Sequence, residues 1–118
     1  MRFLRPVRVT PPAVPLVTLE EAKAQCRVDD GEEDGLIQRL IATATAHLDG
    51  WSGILGRCLV NQEWRQGLPG WPIGGGVYLP FPDVSAAQLT YLDEAGEEQP
   101  LDAGRVQLAE DTRGAYLR

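Results

Sequence analysis

The sequence predicts an α+β fold: an N-terminal extended arm, an antiparallel helical hairpin, then an antiparallel β meander. Three observations carry the prediction. Residues 33–51 repeat apolar side chains at three- and four-residue steps, the period of one helix face. Thr18, with Glu21 three residues on, is the capping-box pattern that opens a shorter helix just upstream. After Gly56 the helical period is lost, and short alternating stretches separated by Gly, Pro and Asp replace it.

The arm comprises residues 1–15, where Pro6, Pro11, Pro12 and Pro15 prevent regular hydrogen bonding. Such a segment is extended and is expected to order only where something binds it. Residues 16–118 are expected to form one domain, with the helical pair in 16–56 and the β region in 57–118. The first helix is expected over residues 18–28. Its apolar edge, Leu19, Ala22 and Cys26, is too narrow to hold so short a helix alone, so it must lie against a partner. Asp29, Asp30, Glu32, Glu33 and Asp34 follow, acids that favour the positive end of the next helix, whose start is placed near Asp30 or Gly31.

The second helix is expected over residues 32–52. Leu36, Ile37, Leu40, Ile41, Ala44, Leu48 and Trp51 form one wide apolar stripe, and Gln38, Arg39, Thr43, Thr45 and Asp49 take the other face. Gly50, Gly53 and Gly56 end it, and the short connection makes the two helices a hairpin.

Arg57–Gln66 alternates loosely as a strand, Leu68–Gly76 is too rich in Gly and Pro for regular structure, and Val77–Tyr78 reads as a short strand. Val84–Leu92 and Glu97–Leu101 flank the turn Asp93-Glu94-Ala95-Gly96, whose glycine tolerates positive φ. Arg105–Ala109 and Ala115–Arg118 form a last hairpin across Asp111–Gly114. Ala115–Arg118 reads as a strand without a stop signal, and the meander leaves one side of the long helix without an obvious cover.

Composition narrows the function classes. With 118 residues, two cysteines and no long apolar run, a single soluble, intracellular domain is expected, with no secretory leader and no membrane span. Cys26 and Cys58 lie far apart without metal-ligand spacing and are expected to be buried free thiols. The net charge of -6 is uneven: +3 over residues 1–15, -4 over 16–60 and -5 over 61–118. An acidic body does not wrap DNA. The basic arm, with Arg2, Arg5 and Arg8, is either a solvated tail or a strap for an acidic neighbour.

No motif carries an enzyme's chemistry. His47, the single histidine, sits at the border of the apolar stripe and reads as a boundary residue. Nothing in the spacing makes it a base for Cys26 or Cys58, and no GxSxG occurs. Gly74-Gly75-Gly76 lacks the Lys-Ser/Thr of a phosphate loop. The acids of 29–34 lack the EF-hand order, so a capping, solvated loop is expected there, with no metal and no cofactor. Glu20-Glu21 and Glu97-Glu98 read as solvated pairs. Trp51 is expected in the core; Trp71, beside Pro69-Gly70 and Pro72, is either core or an anchor for a partner's pocket.

Several stretches together resemble a known family. They are Leu16-Val17-Thr18-Leu19-Glu20-Glu21-Ala22-Lys23, Arg27-Val28-Asp29, Glu33-Asp34 with Leu36-Ile37, Gly56-Arg57 with Leu59, and Gln62 with Trp64. Leu79-Pro80-Phe81-Pro82 and Tyr91-Leu92-Asp93-Glu94-Ala95-Gly96 continue the pattern. In this order they resemble the head-tail connector (adaptor) proteins of tailed phages, most of all those of long-tailed prophages and gene transfer agents. The resemblance implies a non-enzymatic subunit of a dodecameric ring, placed between the portal and the next neck or tail component. DNA would pass through without specific binding. The protein would reside in the virion at the head-tail junction, and in the host cytoplasm during assembly.

Members of that group continue past a strand like Ala115–Arg118 into a further helix that engages the portal. This sequence is expected to lack that C-terminal helix. It also departs from the pattern in Gly35, where a helix former is usual, and in the longer stretch Trp51–Gly56. The residues expected at interfaces are Arg2, Arg5 and Arg8 of the arm, Asp29, Asp30, Glu32 and Glu33 of the acidic loop, Trp71, and Asp93 and Glu94 of the turn. A small intracellular protein-binding module unrelated to virions is the alternative, and a small thiol or hydrolytic enzyme the third.

Overall fold

The computed structural model describes residues 3–71, 74 and 76–118. Arg2, and residues 72, 73 and 75 of the stretch expected to be irregular, therefore lie outside the described residues. The elements run β1 (Val7–Thr10), α1 (Leu19–Cys26), α2 (Asp34–Leu48), β2 (Glu63–Arg65), β3 (Val77–Tyr78), β4 (Thr90–Leu92), β5 (Glu98–Pro100), a 3-10 turn (Ala103–Arg105), β6 (Leu108–Asp111) and β7 (Gly114–Leu117). Two helices forming a hairpin-like pair, followed by antiparallel strands, make the α+β fold that the sequence predicts. The chain divides into two compact units, Arg5–Gln66 and Met1–Leu4 with Gly67–Arg118.

In the unit Arg5–Gln66, α1 opens on the predicted capping box. The Thr18 hydroxyl accepts the Glu21 amide at 3.1 Å, and the Glu21 carboxylate accepts the Thr18 amide at 3.2 Å. Arg27, at φ 55°, closes the helix in the left-handed conformation. Lys23 Nζ then reaches Asp34 Oδ1 at 2.8 Å and ties α1 to the first turn of α2.

The long helix is shorter at both ends than the apolar period suggests. It starts at Asp34 because Asp30 is used in the loop, where its Oδ1 accepts the Glu32 amide at 3.2 Å, and Glu33 caps without a side-chain bond. It stops at Leu48, so Trp51 lies beyond it and is 44% exposed, not in a core. Two glycines make that stop. Gly50 takes φ +79°, and a Cβ on Gly53 would lie 2.5 Å from the Leu48 carbonyl oxygen. The loop can then fold back until the Ile54 amide donates to the His47 carbonyl at 2.9 Å.

The arm differs most from expectation. Val7–Thr10 is strand β1, antiparallel to β2, with Val7 opposite Arg65, Arg8 opposite Trp64 and Thr10 opposite Glu63 around a bulge. The hydrogen bonds expected from an outside partner come from the β2 edge of the same chain.

In the other unit the strands do not form a simple meander. β7 is central, flanked by β3 and β6 in the order β3-β7-β6, while β4 and β5 form a separate hairpin. Successive residues alternate faces, so the register puts Val77, Ala115, Leu108 and Leu117 on one side and Tyr78, Tyr116 and Ala109 on the other. Val77, Phe81 and Ala115 are the buried apolar side chains among the described residues of this unit. The Asp93–Gly96 turn forms as expected, with Gly96 at φ +81°.

Candidate interface surfaces

The chain's one buried charged side chain among the described residues is Asp49, 6% exposed. An acid just past a helix C-terminus opposes the helix dipole and needs compensation from elsewhere. It receives it from three sides. The Leu59 amide donates to Oδ1 at 2.6 Å, Gln62 Nε2 donates to Oδ2 at 3.0 Å, and Arg8 Nη2 stands 3.7 Å from Oδ2. Trp64 Nε1 donates to Gln62 Oε1 at 2.8 Å, and the Arg8 guanidinium lies 5.3 Å from the centre of the Trp64 ring. Asp49 thereby fastens the end of α2 to β1 directly and to β2 through Gln62 and Trp64.

Beside this junction, burial pushes the Cys58 thiol up, and the Asp49 charge adds to the effect. A raised thiol is a poor nucleophile at neutral pH, which argues against thiol chemistry there. Cys26 is exposed and Cys58 half-buried, so neither is the fully buried thiol that the sequence suggested.

The expected interface residues fall in different places. Arg8 belongs to the Asp49 junction, and Arg5 Nη2 donates to Ser52 Oγ at 3.4 Å. Both arginines thus have roles inside their own unit. Asp29, Asp30, Glu32 and Glu33 are exposed together on the loop between α1 and α2. Trp71 is 61% exposed, and its ring centre lies 5.8 Å from that of Tyr91. Asp93 organises the nearby turn: its Oδ1 accepts the Ala95 and Glu97 amides, each at 2.9 Å, and its Oδ2 accepts Gln99 Nε2 at 3.2 Å. The bond from the Glu97 amide is the main reason its carboxyl is held below the usual range. Glu94 is exposed on the same turn.

The wide stripe of α2 splits in two. Ile37, Ile41 and Leu48 are half-buried, whereas Leu36 and Leu40 are 45% and 58% exposed. At 100° per residue, Leu36, Leu40 and His47 fall within ~40° of one another, an apolar flank beside the covered side. Sequence reasoning missed Asp49, which it assigned to the polar face. An acid at the C-terminal end of the helix, followed by glycine, was the signal that it had other work.

Residues 16–74, half of the chain, match the family of phage gp6-like head-tail connector proteins. The match spans α1, the acidic loop, α2, β2 and, of the Asp49 junction, Asp49, Leu59, Gln62 and Trp64 but not Arg8. No curated protein and no solved structure matches the chain. The family of structural connectors whose pattern runs through the helical pair and the strand that anchors it is the one to which this chain belongs: it is a member of the phage gp6-like head-tail connector family.

Proposed function

We propose that this chain is a structural subunit of a ring, of about twelve copies by the family resemblance, seated between the portal and the neck or tail of a phage-like particle. The observation that carries the reading is how little of its apolar surface the chain covers alone. Neither α1 nor α2 has a buried residue, and Leu36, Leu40, Val7 and Val9 are exposed. A helix of fifteen residues draws most of its stability from packing of its apolar face, so α2 is a helix prepared for cover that assembly supplies.

The net charge of -6 fits a wall past which DNA slides, since acidic subunits repel phosphates. Asp29, Asp30, Glu32 and Glu33 in the unit Arg5–Gln66, and the Trp71–Tyr91 pair with Glu94 in the other unit, are offered to neighbouring components, the portal and the downstream neck or tail protein. Assembly would take place in the host cytoplasm and end in the virion. No described helix is long and apolar enough to cross a membrane.

Native mass spectrometry of the chain mixed with the portal protein encoded beside it tests the reading. A portal complex carrying a ring's worth of copies is expected. Bare portal beside free chain would contradict it.

A further inference from the structure

The unit Arg5–Gln66 carries two apolar faces that its own described residues leave open. The first is the α2 flank with Leu36 and Leu40, 45% and 58% exposed. By helical spacing Glu33 lies on the same flank, one turn before Leu36, and it is exposed. The second is the outer face of the β1–β2 ribbon. The inner face holds Arg8 over Trp64, which leaves Val7 outward, 62% exposed, and Val9, at the bulge before Thr10, is 57% exposed. Arg65 is the cross-strand partner of Val7, so it shares that outer face, exposed and without an ion pair among the described residues.

One face is therefore a helical ridge with the acid Glu33 at one end, and the other a ribbon with the base Arg65 at its Val7 end and the acid Glu63 at its Thr10 end. We infer that the second face of one copy seats on the first face of the next: Val7 and Val9 against Leu36 and Leu40, with Arg65 meeting Glu33. The occupant of the α2 flank is a second copy of this chain. Its complement is present on every copy: exposed apolar side chains and, at the Val7 end, a base to meet Glu33. A two-fold contact of α2 with α2 would cover one face and leave Val7 and Val9 bare, whereas a head-to-tail contact covers both and propagates. The inference rests on the ring reading above and names its seam.

The test joins Leu40→Cys and Val9→Cys in one chain whose exposed Cys26 is replaced by Ser, oxidised in the presence of the portal. A ladder of covalent multimers on a non-reducing gel is expected. Glu33→Arg or Arg65→Glu should each lower the ladder yield by about tenfold, because like charges then face each other, and the two together should restore it. If a full complement of chains binds the portal and no ladder forms, the inference is overturned and the connector reading stands. If nothing binds the portal, that reading fails, and the ladder formed by concentrated chain alone decides the inference. Leu40→Glu and Val9→Glu chains give a second check, since each keeps one live face. They should remain monomeric apart and pair one-to-one when mixed. Dimers of the Val9→Glu chain by itself would mean that α2 packs on α2, and would overturn the head-to-tail seam.

Discussion

The helix α2 and the three-stranded sheet β3-β7-β6 reverse the usual relation between length and burial. α2 has fifteen residues and none of them is buried, whereas Val77 and Ala115 lie within strands of two and four residues and are buried with Phe81. The sheet is held by its face. The helix is only half-covered along Ile37, Ile41 and Leu48, and is fastened at its end, where the Asp49 carboxylate joins it to Arg8 of β1 and to Leu59 and Gln62 just before β2. A subunit built this way keeps a helical face free for contacts without losing the helix.

The largest effect is expected at Asp49. Asp49→Ala strands Gln62, Arg8 and the Leu59 amide together, and should cost about 2–4 kcal/mol in urea or thermal unfolding. Asp49→Asn, which keeps one acceptor, should cost clearly less. Equal, small losses for both would mean that α2 is held elsewhere. Next comes the sheet. Ala115, 2% exposed, has no room for a larger side chain, so Ala115→Leu should destabilise by about 1–3 kcal/mol on the same assay.

A smaller effect is expected on the other face of the sheet, where Tyr78 Oη donates to Asp111 Oδ2 at 2.5 Å. That bond is the main cause both of the raised Tyr78 hydroxyl and of the lowered Asp111 carboxyl. Its stabilisation is present above the unfolded aspartate range and is lost as pH falls through the lowered Asp111 value. It is also present below the unfolded tyrosine range and is lost as pH rises through the raised Tyr78 value. Tyr78→Phe should therefore lower the melting temperature slightly at neutral pH, with the difference from the parent closing at both extremes. A constant difference across the range would point to packing alone. Smallest is Leu40→Gln on the helix flank, which should change the stability of the free chain by no more than about 0.5 kcal/mol. A large loss would show that the flank is already covered in the monomer.

What could be read from the sequence was what local chemistry decides. The Thr18–Glu21 box, the period of α2 and the Asp93–Gly96 turn depend on residues within four positions of one another. What could not be read depends on partners far along the chain. β1 was hidden among prolines because its partner β2 lies more than fifty residues further on, and a separation of about forty residues hid the Arg8–Asp49 contact. β3 pairs with β7 across the whole hairpin β4–β5, so neighbouring strands in sequence are not neighbours in the sheet. The apolar stripe of α2 told which residues want cover, but not that Leu36, Leu40 and Trp51 would be left exposed. A period records affinity for an apolar surface and is silent on which chain provides it.

On the connector reading, the flank of α2 that carries Leu36 and Leu40 is covered by assembly and not by its own chain. Amide hydrogen exchange on the free chain and on the chain bound to the portal measures this helix directly. In the free chain, the amides of Leu36–Ala46 should exchange well before those of β7, and in the complex their exchange should slow to match the sheet. Protection of α2 equal to that of β7 in the free chain, or unchanged on binding, would contradict the account.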